Sequence, residues 1–540
     1  MHKTWQAHGK IELDGAAVRA RSFEHIRSRL GFSLTFWTVR THTCSGTKES
    51  FLSALHAMKC LTWFPPIFLV VVLVSGQEIL FASKSSVRQQ EVRNKANAVE
   101  NDADSISAVT LICRITVRHT TWLRKNNDGN KNQSRLYHTI ETGCIPIYGS
   151  KESHQLLPIT LPHTVSERYQ ASINRGTLLL SIEGAQVSSE QIVVSPNATF
   201  SALDHHHHLN NSFHLSRRLN TIQQNAMGKK TVMIIRISTR DAAPPPMKQI
   251  EQNVFGPNKV HSMTSQYRAC SFGQLRFRQV KGMNIKLKRK IASFASGSDV
   301  VNAAIPIIEK RKGVSDVSEL ADHVMFCVAP GAGSWLSTAG INWWSSQFNG
   351  KWALSLSAVM HEMGHNLGLI HSGLGDAQYG DLTDYMGFGY ASSSWPQKCF
   401  NGVKNHQLGW YSSRELYLDP VTMGPRIVTL ASFVDFPLAQ TDEHVVINIV
   451  NLYYLQYNEA KGFNINTGAK VNQVTITKDS PLFSQSLAGL SWKQSYTIAN
   501  FTTGNPSQHL VIEVCYQRNG TQGVADAMIL SIALNRSICK

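Results

Sequence analysis

The sequence predicts a mixed α/β (α+β) central domain, with a β-rich region before it and an all-β, sandwich-like domain after it. Two unbroken apolar runs, at 231–238 and 323–330, are typical of buried strands. Helical patterns of apolar residues lie between and after these runs, which gives the central domain both element types. After Pro420 only strand-like segments follow. The 540 residues, of which 42% are apolar, are enough for two or three domains with globular cores.

Residues 58–76 have the features of a secretory signal peptide. The segment MKCLTWFPPIFLVVVLVSG has a basic start, an apolar core at 61–74 and small residues at its end. That core is short for a membrane span, which needs about 20 residues. We therefore expect Met58 to be the true start and residues 1–57 to be an over-extended gene model. The alternative is a single signal anchor at 61–74, with residues 1–57 as a short cytoplasmic tail.

Residues 77–228 are predicted to be a β-rich region and a linker. The first part is polar, and short alternating segments between about 110 and 200 predict the strands of a small β domain. The linker contains the run His205–His208, which we interpret as an accidental low-complexity tract. It also contains Arg217-Arg218, a dibasic pair that a processing protease can cut, and an uncut linker is an equal alternative.

Residues 229–420 are predicted to be the central domain. A buried strand at 231–238 is followed by a helix with Pro246 at its first position, where the missing N–H costs nothing. A second helix, over 298–313, has Ser298 or Asp299 as its N-cap. The remaining residues, 421–540, are predicted to be the C-terminal β domain.

Residues 361–371 read HEMGHNLGLIH, which is the pattern H-E-x-x-H-x-x-G-x-x-H. On a helix, His361 and His365 lie one above the other, so both imidazoles can reach one ion. Glu362 is rotated about 100° from His361, beside the metal, where a general base is needed. Gly368 can take positive φ, which lets the helix end and brings His371 round as a third ligand. Three imidazoles and one open position predict one catalytic Zn²⁺, which lowers the pKa of its bound water to about 7.

A methionine follows the histidine pattern, in the run Tyr385-Met386-Gly387. A methionine in a tight turn below a three-histidine zinc site is the second mark of metzincin proteases. The runs HEMGHNLGLIHSG (361–373), YGDLTDYMGFGY (379–390) and KCFNGVKNHQLGWY (398–411) resemble the gametolysin family of secreted zinc peptidases, and so does SQYRACSFGQLRF (265–277). The resemblance covers residues 229–420 well and the chain to 540 more loosely.

The resemblance implies a metzincin-type zinc peptidase domain. It implies that His361, His365 and His371 bind zinc. Glu362 would be the general base, and Met386 would form the turn beneath the metal, called the Met-turn. The expected substrates are proteins and glycoproteins of the extracellular matrix or cell wall.

The resemblance also implies structure around the ligands. Residues 77–228 stand where a secreted protease carries a propeptide. In metzincins an edge strand lines the cleft, and an extended substrate can add to it through main-chain hydrogen bonds; Ala339–Trp343 is the expected strand. Asp381 is a candidate for orienting a ligand histidine from the second shell, and a turn-forming aspartate is an equal alternative. Tyr379 and Tyr385 are candidates for shaping the site.

Seven cysteines follow the signal segment, so one thiol is left over. Cys515 and Cys539 stand alone in the C-terminal region and are predicted to pair. One hypothesis is that a propeptide thiolate, from Cys144 or Cys113, fills the open zinc position and keeps the enzyme latent. The alternative is a disulfide between Cys113 and Cys144, which leaves the free thiol in the central domain.

The remaining sequence features concern location and partners. The net charge of +17 is scattered, and no helix carries a basic stripe with aromatic residues, so we expect no nucleic-acid partner. We expect a secreted, extracellular protein with no stable membrane span after signal cleavage. The alternative function is a catalytically silent matrix or adhesion glycoprotein with a relict zinc site, and the intact Glu362 argues against it. Sequons for N-glycosylation lie at Asn132, Asn197, Asn210, Asn500, Asn519 and Asn535.

Overall fold

The computed structural model divides the chain into two compact units, Met1–Ser107 and Ala108–Lys540. In the first unit it describes seven strands between residues 10 and 82. In the second it describes residues 110–125, 134–148, 151–152, 156–174, 176–187, 191–203, 225–256, 261–387, 396–502 and 507–540. None of the helices in these described ranges has the length and apolar character that a membrane crossing needs.

The strands of the first unit form two small sheets. One has the order β1–β2–β5–β6–β7, and the other is the pair β3–β4. The strands are β1 (Lys10–Leu13), β2 (Ala16–Ala20), β3 (His25–Arg27), β4 (Ser33–Thr35), β5 (Trp37–Arg40), β6 (Leu69–Val74) and β7 (Gln77–Ala82). Most of residues 1–57 and of the signal segment 58–76 lie outside the described residues, so both interpretations stay predictions.

The second unit begins with a β-rich region. Its elements are β8 (Leu111–Lys125), β9 (Ser134–Tyr148), β10 (Lys151–Glu152), β11 (Leu157–Pro158), α1 (His163–Asn174), β12 (Leu178–Val187) and β13 (Ile192–Ala202). Strand β8 pairs antiparallel with β9 along its whole length, and residues 111–115 pair with β12 on the other side. The remaining half of that side of β8 is therefore available to another partner.

The central region supplies that partner. Its elements are β14 (Gly228–Ser238), α2 (Met247–Phe255), α3 (Met263–Cys270), β15 (Leu275–Lys286), α4 (Gly297–Lys312), β16 (His323–Val328), β17 (Trp335–Gly340), β18 (Ser345–Asn349), α5 (Leu356–Asn366) and β19 (Ser372–Gly373). The sheet order is β10–β9–β8–β17–β18–β16–β14–β15. Strands β15, β14, β16 and β18 are parallel, and β17 is antiparallel to both β18 and β8.

Helices cover both faces of the parallel strands, because side chains alternate between the faces of a strand. Met233, Ile235 and Ile237 of β14 pack with α4 in one apolar cluster. Val232 and Ile234 face the opposite way and pack with α2, α3 and α5 in another cluster. Helix α5 lies in this second layer, and all of its residues are buried.

The C-terminal part contains two further sheets. Its elements are α6 (Gly402–Leu408), β20 (Glu415–Leu418), α7 (Pro420–Met423), β21 (Arg426–Ala431), β22 (Val446–Ile449), β23 (Tyr453–Asn458), β24 (Gln473–Lys478), β25 (Ser484–Leu490), β26 (Ser495–Ile498), β27 (Leu510–Arg518) and β28 (Ala527–Leu534). The sheets have the orders β19–β25–β24–β23–β22–β20 and β21–β28–β27–β26, and both supply side chains to one apolar cluster.

The structure refines three expectations for the central region. The helix predicted over 298–313 begins at Gly297, and Ser296 is its N-cap, with Asp299 completing the capping box. The edge strand expected at Ala339–Trp343 is wrong in position, since β17 ends at Gly340. It is also not a free edge, because β8 is paired to it. Local patterns do not report which distant strand becomes a neighbour.

Candidate metal centre and active site

Helix α5 carries the first two predicted ligands. Its N-cap Ser355 accepts a hydrogen bond from the Ala358 N–H at 3.4 Å. His361 and His365 follow on one face, with ring centroids 4.7 Å apart. The helix ends where Gly368 adopts a φ of 95°, a left-handed conformation that glycine takes without steric cost.

The third predicted ligand, His371, is held by the C-terminal sheet. Its carbonyl accepts from the Ser484 N–H at 3.0 Å, and β19, which follows it, pairs with β25. The ring centroid of His371 lies 4.8 Å from that of His365 and 5.3 Å from that of His361. Strands beyond residue 420 therefore help to build the metal centre, across the predicted domain boundary.

Each of the three rings is oriented through its Nδ1 atom. His361 Nδ1 lies 2.8 Å from the Tyr385 carbonyl, and His365 Nδ1 lies 2.8 Å from the Leu369 carbonyl. A carbonyl can only accept, so each Nδ1 carries the proton and each Nε2 keeps its lone pair for a metal. The amide Nε2 of Gln378 lies 2.7 Å from His371 Nδ1. With this amide turned by 180°, its oxygen would accept from Nδ1 in the same way.

The imidazoles of His365 and His371 have the spacing of two ligands on one tetrahedral metal ion. The Nε2 atoms of His365 and His371 are 3.1 Å apart. Two nitrogens on one zinc, each about 2.0–2.1 Å from it, lie about 3.3 Å apart. Burial lowers the pKa of His361 to about 4 and that of His365 well below its usual value. The rings of His361 and His365 are therefore neutral, which is the form that binds metal.

Glu362 lies beside the histidines in a buried position. Its Oε1 accepts from the Ser337 hydroxyl of β17 at 2.7 Å, and its Oε2 has no hydrogen-bond partner among the residues described. Burial raises the pKa of Glu362 to about 8, and the hydrogen bond from Ser337 opposes that rise. A divalent cation nearby acts in the same direction as Ser337, because it favours the carboxylate. Ser337 thus fixes one oxygen and leaves the other available for proton transfer.

Met386 lies in a turn beneath α5. The N–H groups of Met386 and Gly387 donate to Asp384 Oδ1 at 2.6 and 3.0 Å, which makes the turn tight. Asp384 Oδ2 accepts from the Ser372 hydroxyl at 2.7 Å, so one carboxylate connects the turn to the residue after His371. A Cβ at position 364 would overlap Met386 Sδ, which explains the glycine there. The turn is therefore in contact with the helix that carries His361 and His365.

The proposed second-shell role of Asp381 is corrected by its contacts. Its Oδ1 accepts from the backbone and hydroxyl of Thr383, and its Oδ2 accepts from Asn401. These are the bonds of a turn-forming aspartate, the alternative considered above. The Nδ1 partners of the histidines are backbone carbonyls and Gln378 instead. Of the two tyrosines expected to shape the site, Tyr379 packs its ring 3.9 Å from that of His371, and Tyr385 contributes its carbonyl to His361.

A fourth histidine, His119 of β8, lies in the same cluster. Its ring is stacked on that of His365, with centroids 4.7 Å apart, and it meets His371 edge-on at 4.2 Å. The sequence analysis missed this residue because nothing in the run VRHTTW distinguishes it from any histidine on a strand. Ser337, Gln378 and Asp384 were missed for the same reason, since their roles depend on the folded arrangement.

The disulfides decide between the two cysteine hypotheses. Cys113 is bonded to Cys144, so the prediction that Cys144 offers a latency thiol is wrong. Cys515 is bonded to Cys539, which is the predicted pairing. Among the cysteines described, the free thiol is Cys327, a buried residue of β16 whose pKa burial raises to about 12. A third bridge joins Cys270 to Cys399 and so connects two of the segments on which the resemblance rests.

Comparison with known proteins gives one finding. Residues 229–485 match a protein-family model described as Gametolysin peptidase M11. No curated protein matches the chain. The matched range contains all three predicted ligands and ends in β25, the strand that pairs with β19 beside His371.

Proposed function

Residues 229–485 belong to the gametolysin family of peptidases, and from this premise we propose that the chain is a secreted zinc-dependent metalloendopeptidase of the metzincin type. The family implies a metallopeptidase, and the histidine cluster is the candidate metal site. The observation that carries the proposal is the pairing of three buried imidazoles, each with a partner at Nδ1, with a buried carboxylate, Glu362, on one short segment.

The proposed mechanism assigns each residue a task. His361, His365 and His371 would hold the zinc, which would supply Lewis-acid polarisation of the scissile carbonyl and a water that is nucleophilic near neutral pH. Glu362 takes the proton of the attacking water through Oε2 and passes it to the leaving amine. Ser337 holds Oε1, so the carboxylate keeps one orientation during both transfers. Imidazoles that are already oriented need no rearrangement when the metal binds.

The location and substrates are also part of the proposal. Three disulfides support an oxidising compartment, and extracellular proteins are the usual home of such bonds. The sequon residues Asn197, Asn500, Asn519 and Asn535 are exposed, as glycan acceptors must be. The substrates that the family suggests are proteins and glycoproteins of a cell wall or extracellular matrix, with no role for nucleic acid.

The proposal is tested by replacing the base and keeping the metal. The full chain and its Glu362→Gln variant are secreted from a eukaryotic host, and zinc content and protein degradation are measured, before and after limited proteolysis. We expect equal zinc and a fall in turnover of about 10²–10⁴-fold, the contribution typical of a positioned acid–base group.

A matched control is Glu443→Gln, which changes another buried glutamate, one paired with Arg518 in the C-terminal part. This variant should keep its activity. If the wild-type chain holds zinc and degrades no protein in either condition, the silent-glycoprotein alternative replaces the enzyme.

A further inference from the structure

Strand β8 occupies the edge of the central sheet beside the metal centre. Residues 118–122 of β8 pair antiparallel with β17, and His119 stands opposite Ala339. The Thr338 hydroxyl donates to the His119 carbonyl at 2.6 Å, and it lies 3.0 Å from the hydroxyl of Thr120. The position where an extended substrate would add to β17 is therefore taken by the chain itself.

The His119 side chain projects from this strand into the ligand cluster. One ring nitrogen from each of His119, His365 and His371 lies within 4.8 Å of the other two. The four ligand positions of a tetrahedral zinc site lie at comparable separations from one another. A ring nitrogen of His119 thus lies close enough to those of His365 and His371 to share one ion with them.

The ring nitrogens of His119 lack other partners. Neither Nδ1 nor Nε2 forms a hydrogen bond with any described residue, although the residue is only 5% exposed. Buried polar groups in native proteins are nearly always paired, and an exception needs an explanation. A metal ion is a partner that suits such a ring nitrogen.

We propose that His119 is a fourth imidazole ligand of the metal and that β8 closes the active site in the full chain. The inference rests on the proposed function, because it assigns His119 to the same ion. Catalytic zinc sites keep one position open, whereas sites with four protein ligands are closed. With His119 bound, that position is filled, and β8 covers the edge of β17 as well.

Contacts with the rest of the N-terminal region hold β8 in this place. Ile341 and Ile370 of the central region lie in an apolar cluster whose other members come from residues 111–200. Arg114 of β8 donates to the Asn342 carbonyl at 3.2 Å, and Thr116 donates to the Ile341 carbonyl at 2.9 Å. Release of β8 would expose both isoleucines to water, which favours the closed state until the N-terminal region is removed.

The first test counts ligands without any substitution. The full chain is loaded with zinc, and X-ray absorption spectroscopy at the zinc edge counts the imidazoles bound to the ion. Four imidazoles support the proposal. Three imidazoles and one oxygen would overturn it. A chain that binds no zinc would instead overturn the proposed function, so the two failures are distinguishable.

The second test removes His119, which should open the fourth coordination position of the metal. The full chain, His119→Ala and His323→Ala are loaded with cobalt, and binding of acetohydroxamate is followed by the visible spectrum of the metal. His323 of β16 is the matched control, because it is also a buried histidine with a lowered pKa and lies outside the cluster. We expect His119→Ala to keep one equivalent of metal and to bind acetohydroxamate at least about tenfold more tightly than the other two chains, because an open fraction of at most about one tenth in those chains weakens their apparent affinity by that factor.

Two further readouts check the same variant. Protein degradation should rise in His119→Ala and not in His323→Ala. Added imidazole should reverse the change in affinity by refilling the position. Equal acetohydroxamate affinity in all three metal-loaded chains would contradict the proposal.

Discussion

The segment after β18 and the strand β8 both bring histidines to one cluster, but they hold them differently. His361 and His365 each have Nδ1 fixed by a backbone carbonyl, and His371 has Gln378 beside its Nδ1. His119 has no hydrogen bond on either ring nitrogen within the described structure and is positioned by its strand and by ring contacts with His365 and His371. The difference teaches that three ligands are built to keep their geometry by themselves. The fourth can leave without disturbing them.

Replacing a histidine of the 361–371 motif should give the largest loss of zinc and activity. Without such a loss, the contrast between the motif histidines and His119 does not hold. His365 is fully buried, and its ring lies within 4.8 Å of the His361 and His371 rings. We expect His365→Ala to lose bound zinc and all proteolysis, because it removes one member of the closest nitrogen pair of the cluster, His365 Nε2 and His371 Nε2 at 3.1 Å. Metal analysis after dialysis checks this. Retention of one zinc per chain in His365→Ala, with loss in His119→Ala, would reverse the roles assigned here.

Adding a methyl group to helix α5 should have an intermediate effect, which is a loss of stability. A methyl group at position 364 overlaps Met386 Sδ, so Gly364→Ala should destabilise the full chain by about 1–3 kcal/mol. Chemical denaturation followed by tryptophan fluorescence measures the loss. The double variant Gly364→Ala with Met386→Ala removes the overlapping sulfur and should recover part of it. A single variant as stable as the wild type would show that α5 is less tightly held than its burial indicates.

Loosening β8 should give the smallest effect. Thr338→Val removes the hydrogen bond to the His119 carbonyl and the contact with Thr120, and a net loss of about 1 kcal/mol is expected. That loss raises the equilibrium constant for release of β8 from β17 roughly fivefold. The cobalt-loaded variant should therefore bind acetohydroxamate more tightly.

A control for this variant lies in the C-terminal sheet. Thr475 also donates to a main-chain carbonyl, that of Gln456, at 3.1 Å and is equally buried. Thr475→Val should leave acetohydroxamate affinity unchanged. An equal change in both variants would indicate a general loss of stability and no specific link between β17 and β8.

The sequence predicted what local spacing can encode. The pattern at 361–371 identified the helix, its glycine end and the three ligands, because residues four apart on a helix share a face. The run at 385–387 identified the turn beneath it. Two aspartates precede that turn, and the sequence pointed to Asp381, whereas Asp384 holds the turn and Ser372. Asp381 and Asp384 are three residues apart, and sequence spacing alone does not show which of the two carboxylates faces the turn.

Features that depend on long-range pairing were not predictable. The neighbour of β17 is β8, which lies more than two hundred positions earlier in the chain, so the edge expected near Ala339 is covered. The same pairing is what brings His119 to the ligands. Cysteine counting left open whether Cys144 was a free thiol, and only the closeness of β8 and β9 settled its bond to Cys113.

Each of the three disulfides joins two cysteines on the same side of the linker between the N-terminal and central regions. One bridge, Cys113–Cys144, lies wholly before the linker, while Cys270–Cys399 and Cys515–Cys539 lie wholly after it. Among the described cysteines, no bridge crosses from one side to the other. A single peptide-bond cleavage within residues 204–224 would therefore yield two molecules joined by noncovalent contacts alone. Dilution or competition by another chain could then separate them, and no reducing agent would be required.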